Sequence, residues 1–138
     1  MNSRSSLITL SLCLLAFTSI FVTEVDGKGR NVTVDKKDQN PTIACTGNAV
    51  TVTADDNQVT LTGECSKLTV KAKDINVTAA TIKELVVSGT DVNVTVANVG
   101  KITVTGEDVN VVWGNGIGGK EPQISRKAKD VNIVHAGK

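Results

Sequence analysis

The chain has 138 residues, a formal net charge of +1 and a hydrophobic content of 40%, of which aromatic residues make up only 2% of the chain. So balanced a charge argues against strong attraction to nucleic acid or to an anionic membrane, and one Trp, two Phe and no Tyr leave no platform on which bases could stack. One domain is the expected organisation at this length.

At the N-terminus a single cation, Arg4, precedes an apolar run from Leu7 to Val22, followed by the polar stretch Thr23-Glu24-Val25-Asp26-Gly27. This is the layout of a secretory signal peptide, residues 1–27, with cleavage after Gly27 in a window from Val22 to Gly29. A membrane span is the competing reading, because the run approaches the length that crosses a bilayer. No cluster of Lys or Arg follows at once to stop transfer, and Val25 and Gly27 suit the small-residue rule for cleavage. Cys13 leaves with the signal. The mature chain is then expected to be secreted, without a membrane span, and removal of Arg4, Glu24 and Asp26 from totals of 15 cations and 14 anions leaves 14 against 12.

Residues 28–41 are polar and charged apart from Val32 and Val34, which predicts a flexible leader with at most one edge strand. Asn31-Val32-Thr33 within it is an acceptor sequon for N-glycosylation, and the most accessible of three. Cys45 and Cys65 are the two cysteines of the mature chain, and in an oxidising compartment they are expected to pair. Closing a loop of about 20 residues is worth roughly 3 kcal/mol in the chain-entropy model. Metal binding lacks partners, since His135 is the one histidine and no C-x-x-C occurs. No metal or cofactor is expected.

From Val50 the apolar residues alternate over short runs: Val50/Val52, Val59/Leu61, Leu68/Val70, Ile75/Val77, Leu85/Val87, Val92/Val94/Val96, Ile102/Val104 and Val109/Val111. Period two means strands with one buried face, and Thr78 to Leu85, the nearest approach to a helix, reads better as strand too. The runs are of two kinds. One opens with Asp-x-Asn at Asp74, Asp91, Asp108 and Asp130, with Asp56-Asn57-Gln58-Val59 as a variant; the other opens with Lys or Glu, at Lys67-Leu68, Glu84-Leu85 and Lys101-Ile102.

The repeating unit is the pair, about 17 residues long, and such self-similarity is the mark of a stacked array. That predicts an all-β domain over residues 42–138 built as a short parallel β-solenoid, in which each residue lies over its counterpart one turn earlier at about 4.8 Å. An antiparallel β-sandwich is the alternative. The faithful alternation of two run types and the lack of large rings for a sandwich core favour the solenoid. Asp at each corner is expected to accept a hydrogen bond from the N–H two residues on, as an Asx turn, with the following Asn facing out.

After Val111 the pattern breaks at Trp113 and gives way to a Gly-rich loop at 114–122, an insertion in the last turn. Gly114, Gly116 and Gly119 satisfy G-x-G-x-x-G, but no helix follows to meet a pyrophosphate. His135 holds the place of Trp113 one turn later, where a structural role is expected.

The succession Cys45-Thr-Gly-Asn-Ala-Val-Thr-Val, then Asn57-Gln-Val-Thr-Leu-Thr-Gly-Glu-Cys65, then K-L-T-V, D-V-N-V-T-V, K-I-T-V-T-G-E-D-V-N-V-V and the Gly-rich stretch resembles the secreted "domain of unknown function 3060" family, from about Ile43 to His135. The family occurs mainly as exported or lipid-anchored bacterial proteins, so the resemblance implies export and this kind of repeat fold. It implies no catalytic residue. The chain departs from the pattern in the Lys-Asp and Glu-Asp corners of later turns and in having no lipid-attachment site.

If the coils stack, Asp56, Asp74, Asp91, Asp108 and Asp130 form a column, for which turn capping is the expected role and calcium the competing one; no D-x-D-x-D-G ligand set supports the latter. Asn76-Val77-Thr78 and Asn93-Val94-Thr95 are further sequons, expected to stand one turn apart, where two glycans would crowd each other. Paired threonines at Thr51/Thr53, Thr60/Thr62 and Thr103/Thr105 face outward, with Lys71, Val86 and Ala80 interrupting their columns. No nucleophile sits beside a base in a recognisable motif. The expectation is a secreted, non-enzymatic structural or interaction module for an extracellular glycan, envelope component or protein. The alternatives are a polysaccharide-acting enzyme of the β-helix type and a self-assembling, end-to-end or ice-binding solenoid.

Overall fold

A computed structural model describes residues 30–137. The expected signal peptide, residues 1–27, and its expected cleavage site lie outside the described residues. Strands form where β-branched residues alternate with polar ones: β1 (Val32–Val34), β2 (Thr42–Thr46), β3 (Ala49–Val52), β4 (Asn57–Val70), β5 (Ile75–Val87), β6 (Val92–Val104), β7 (Val109–Gly116), β8 (Gln123–Arg126) and β9 (Val131–His135). Every strand pairing among them is parallel, and residues pair with their counterparts in the next coil. The described residues therefore form a β-solenoid of about six coils, and the antiparallel alternative does not apply.

Two walls rise through the stack. One is the column of segments Val32–Val34, Val50–Val52, Leu68–Val70, Leu85–Val87, Ile102–Val104 and Ile124–Arg126. The other begins at Thr42–Thr46 and continues through the first halves of β4, β5 and β6 to β7 and β9. Between them lies a slim aliphatic core in which Val50, Leu68, Leu85 and Ile102 are wholly buried one above the other. Each such side chain contributes on the order of 2 kcal/mol by leaving water.

The coils are not all of one length: those running from Val32 to Val50 and from Val50 to Leu68 each hold one residue more than those from Leu68 to Leu85 and from Leu85 to Ile102. The difference is a bulge between Leu61 and Glu64. Gly63 occupies it with φ of 74°, and a Cβ there would collide with the Cys45 carbonyl oxygen of the coil beneath, so only glycine fits. Cys45 and Cys65, both buried, are joined as a disulfide with Cα atoms 4.9 Å apart, clamping the first coil to the second.

The six coil corners share one conformation. Asp38, Asp56, Asp74, Asp91, Asp108 and Asp130 all have φ between 52° and 58°. This left-handed region is one that Asp and Asn tolerate better than other side chains. In that pose the corner N–H points along the stack: Asp56 donates to the Lys73 carbonyl (3.1 Å), Asp74 to Thr90 (3.2 Å) and Asp91 to Glu107 (3.3 Å). The Asx turn expected at these corners is not what they have in common; among the described residues the carboxylates make no hydrogen bond to the N–H two residues on. Backbone conformation, and not a capping oxygen, is what recurs. Two residues before each middle corner the chain is small and buried, as at Ala54, Ala72 and Gly106, because a Cβ at Gly106 would already strike the Gly89 carbonyl.

Two boundaries shift. Residues 28–41 are not a flexible leader throughout: Val32–Val34 pairs with Val50–Val52 and Asp38 makes a regular corner, so the first coil begins at β1 and not at residue 42. Its strand is too short to read alone, and gains its order from stacking on β3. The Gly-rich loop starts later than residue 114, because Gly114 and Gly116 belong to β7, where Asn98 pairs with Asn115 and Val99 with Gly116. What loops out is Ile117–Gly119, in a 3-10 turn, and the residues up to Pro122.

Candidate interaction face

Inside the solenoid alternate residues of a strand are buried, so the others must face water, and stacking sorts them into columns. On the second wall, Gln58, Asn76, Asn93, Asn110 and Asn132 form one column, with Asn40 two residues before Thr42 at its foot. Two residues further along each strand stand Thr42, Thr60, Thr78 and Thr95, followed by Val112 and Val134. With strands about 4.8 Å apart and about 3.3 Å of rise per residue, the columns make a lattice of roughly 4.8 by 6.6 Å. From Thr42 to Thr95 its side chains are amides and hydroxyls, each both donor and acceptor, and neither column holds a charge. Adjacent amides join directly in the last two coils, where Asn132 Nδ2 donates to Asn110 Oδ1 at 3.1 Å.

The charges lie elsewhere. On the first wall Lys67, Glu84 and Lys101 stack with Nζ to carboxylate distances of 3.4 and 3.8 Å, and Lys83 meets Glu64 at 2.7 Å on the turn between walls. At the corners Lys37 lies 3.4 Å from Asp55, and Lys73 lies 4.0 Å from both Asp74 and Asp91. The backbone N–H of Lys73 donates to Asp55 Oδ1 at 2.9 Å and, with Lys37 beside it, holds that carboxyl below the ordinary Asp range. These ammonium groups relieve the repulsion along the Asp column. Asp38, Asp56 and Asp74, with Asn40, Asn57, Gln58 and Asn76, line an open shelf of about 260 Å³. Among the described residues no three His, Cys, Asp or Glu side chains converge as a metal would require.

The sequons fall as follows. Asn31 is exposed just before β1, while Asn76 and Asn93 are exposed and in direct register, one coil apart. Of the threonine columns named from sequence, the one through Thr51, Thr69 and Thr103 is broken by Val86. The column from Thr42 to Thr95 is uninterrupted, and it escaped sequence reading because only Thr60 of its four members belongs to a T-x-T pair.

Asn57 was also missed. It takes the inward place that Ile75 holds in the next coil and is 1% exposed. Its amide donates to the carbonyls of Ala54 (2.7 Å), Lys36 (3.0 Å) and Asp55 (3.2 Å), and its Oδ1 accepts from the Gln39 N–H at 2.7 Å. One buried amide thus ties together the first two corners. The signal was there in Asp56-Asn57-Gln58, where Gln58 and not Asn57 aligns with the outward Asn of later coils.

At the other end Trp113 and His135 stack with ring centroids 4.1 Å apart and planes inclined by 25°. His135 Nε2 lies 2.6 Å from the Gly114 carbonyl oxygen, which can only accept, so Nε2 carries the proton. The pair closes the core over β7.

Residues 52–97 match the family model of DUF3060, a protein of unknown function. The DUF3060 match spans a third of the chain, from the end of β3 into β6, and so contains the central amide and threonine columns, the bulge at Gly63 and the corners at Asp56, Asp74 and Asp91. Over that span the resemblance read from the motifs is shown. No curated protein and no solved structure matches the chain. No helix among the described residues is long and apolar enough to cross a membrane. The disulfide points to an oxidising environment.

Proposed function

We propose that the protein is a secreted, non-enzymatic interaction module that binds an extracellular glycan, or a glycan-bearing envelope component, along its uncharged face. The observation that carries the reading is the lattice of Asn, Gln and Thr side chains, regular over four coils from Thr42 to Thr95. A ligand suited to it is extended, uncharged and studded with hydroxyl groups at short, regular intervals, which is the chemistry of a polysaccharide chain. Amides and hydroxyls that both donate and accept meet such a ligand without demanding a single orientation. The signal-peptide layout of residues 1–27 and the Cys45–Cys65 bridge support an extracellular setting, where Asn31 is the sequon best placed for a glycan of its own.

The test is a glycan array probed with the purified chain and with a Thr78→Val/Thr95→Val variant, whose substitutions keep the volume of each side chain. Binding of neutral polysaccharides that the variant loses at least tenfold supports the face; binding that the variant retains moves the site elsewhere. Sustained release of product from a polysaccharide, abolished by Asp91→Ala, would replace the module by an enzyme. A second reading follows from the same unbroken threonine column, since a flat lattice of hydroxyls also orders water. An ice-binding solenoid would show thermal hysteresis, which Thr78→Val/Thr95→Val would alter, and its absence eliminates this reading.

A further inference from the structure

Among the described residues the second to fifth coils are each covered above and below by a copy of their own pattern, whereas the first and sixth are covered on one side. At the first-coil end a depression of about 250 Å³ opens between β1 and the start of β2, lined by Val32, Val34, Pro41 and Ile43 with Asp35 at its rim. At the other end Ile124 is 48% exposed, in the column where Val50, Leu68, Leu85 and Ile102 are wholly buried, and Val131 and Ile133 pack on the core from one side only. Both ends keep the internal template. The interval from Val32 to Asp38 recurs from Leu68 to Asp74 and from Ile124 to Asp130, and all three Asp corners are left-handed.

We infer that the molecule stacks end to end on itself, the sixth coil of one copy on the first coil of the next. In that register Ile124 covers Val32, Lys127 lies over Asp35, Asn132 over Asn40 and Val134 over Thr42. Ile124 meets Val32, Lys127 meets Asp35 and the amide column continues, as between coils within one molecule; at the exposed corner Lys129 comes over Lys37 and Asp130 over Asp38, like charge on like, as Asp38 and Asp56 already stand within one molecule. The N–H and C=O groups that the terminal strands leave unpaired among the described residues supply the backbone pairing. The contact is heterologous, so it does not close and produces an open series of oligomers.

Two features keep it weak. An end of this width buries only about 300 Å² per copy, at or below the low end for specific interfaces. Arg126 also stands in the column otherwise filled by Val34, Val52, Val70, Val87 and Val104, and its guanidinium donates to the Val131 carbonyl at 3.3 Å across the end. A charge at an inward position restrains edge pairing. This inference is independent of the glycan-binding reading, which concerns the side of the stack.

The experiment is sedimentation velocity over a wide concentration series with the purified full chain as the cell processes it. The wild type, Lys127→Asp, Asp35→Lys, the Lys127→Asp/Asp35→Lys double variant and Ile124→Lys are compared, with circular dichroism confirming the same fold in each. All the substituted side chains are exposed. The expected result is a wild-type sedimentation coefficient that rises with concentration, a several-fold loss of oligomer in each single reversal, recovery in the double variant and monomers alone for Ile124→Lys. A monomeric wild type at every concentration overturns the inference. So does an oligomer that these variants leave unchanged, or a double variant that fails to recover.

Discussion

Replacing Asp91 separates the two roles a corner aspartate can have. If the corner needs a left-handed backbone, the order of stability follows the conformational cost of each side chain. That conformation costs an ordinary L-residue roughly 1–2 kcal/mol and glycine nothing, while glycine loses about 0.5–1 kcal/mol of extra chain entropy on folding. Asp91 sits at φ of 55°, and its contact with Lys73, at 4.0 Å between half-exposed groups, is worth under about 1 kcal/mol. Asp91→Asn and Asp91→Gly should therefore fall within about 0.5 kcal/mol of the wild type. Asp91→Ala should lose about 1 kcal/mol and Asp91→Val, with a branched Cβ, about 2 kcal/mol. Urea unfolding followed by circular dichroism reads these as midpoint shifts at constant slope. The carboxylate is absent from Gly and Ala alike, so equal losses in those two variants would show that the side-chain oxygen matters and that the backbone argument is wrong.

Leu85→Ala, at a wholly buried position in the middle of the stack, is expected to destabilise by about 2–5 kcal/mol in the same assay, and a loss below about 1 kcal/mol would mean that the slim core collapses around the cavity. Reducing the Cys45–Cys65 bridge should remove about 3 kcal/mol and speed proteolysis between Val32 and Thr46 before the later coils are cut. Asn57→Ala leaves the Ala54 carbonyl and the Gln39 N–H without their partner, costing about 1–3 kcal/mol, and hydrogen exchange at Gln39 should report it first. Asp55 binds its proton less readily in the folded chain than in the unfolded one, so its contribution is present above the ordinary Asp range and disappears as pH falls through the lowered folded value. Asp55→Asn should flatten the acid limb of a stability-against-pH curve, and an unchanged limb would assign that limb to other carboxylates.

How much of this the sequence discloses depends on which neighbour fixes each residue. Val50, Leu68, Leu85 and Ile102 could be placed in one buried column because both the alternation within a run and the near-constant interval between runs are visible in the letters. The reason for Asp at the corners could not, since a positive φ leaves no mark distinct from a capping preference; both select Asp and Asn. Val32–Val34 looked like part of a leader because so short a strand carries no periodicity of its own, and its order comes from β3. The column from Thr42 through Thr60 and Thr78 to Thr95 advances by a whole coil at each step, so a search within single runs passes over it. Asn57 was hidden by a shift of one letter, which in a strand exchanges inside for outside.

From Leu68 to Val104 the coils are interchangeable: they are equal in length, and each meets the next in the same register. A tandem duplication of the codons for one such coil would add one storey, about 4.8 Å of height, and one more rung to each column. Neither the disulfide at one end nor the stacked rings at the other would be disturbed. A lineage carrying this gene can therefore alter the reach of the molecule in whole-coil steps, by a kind of copying error that repeated DNA itself encourages.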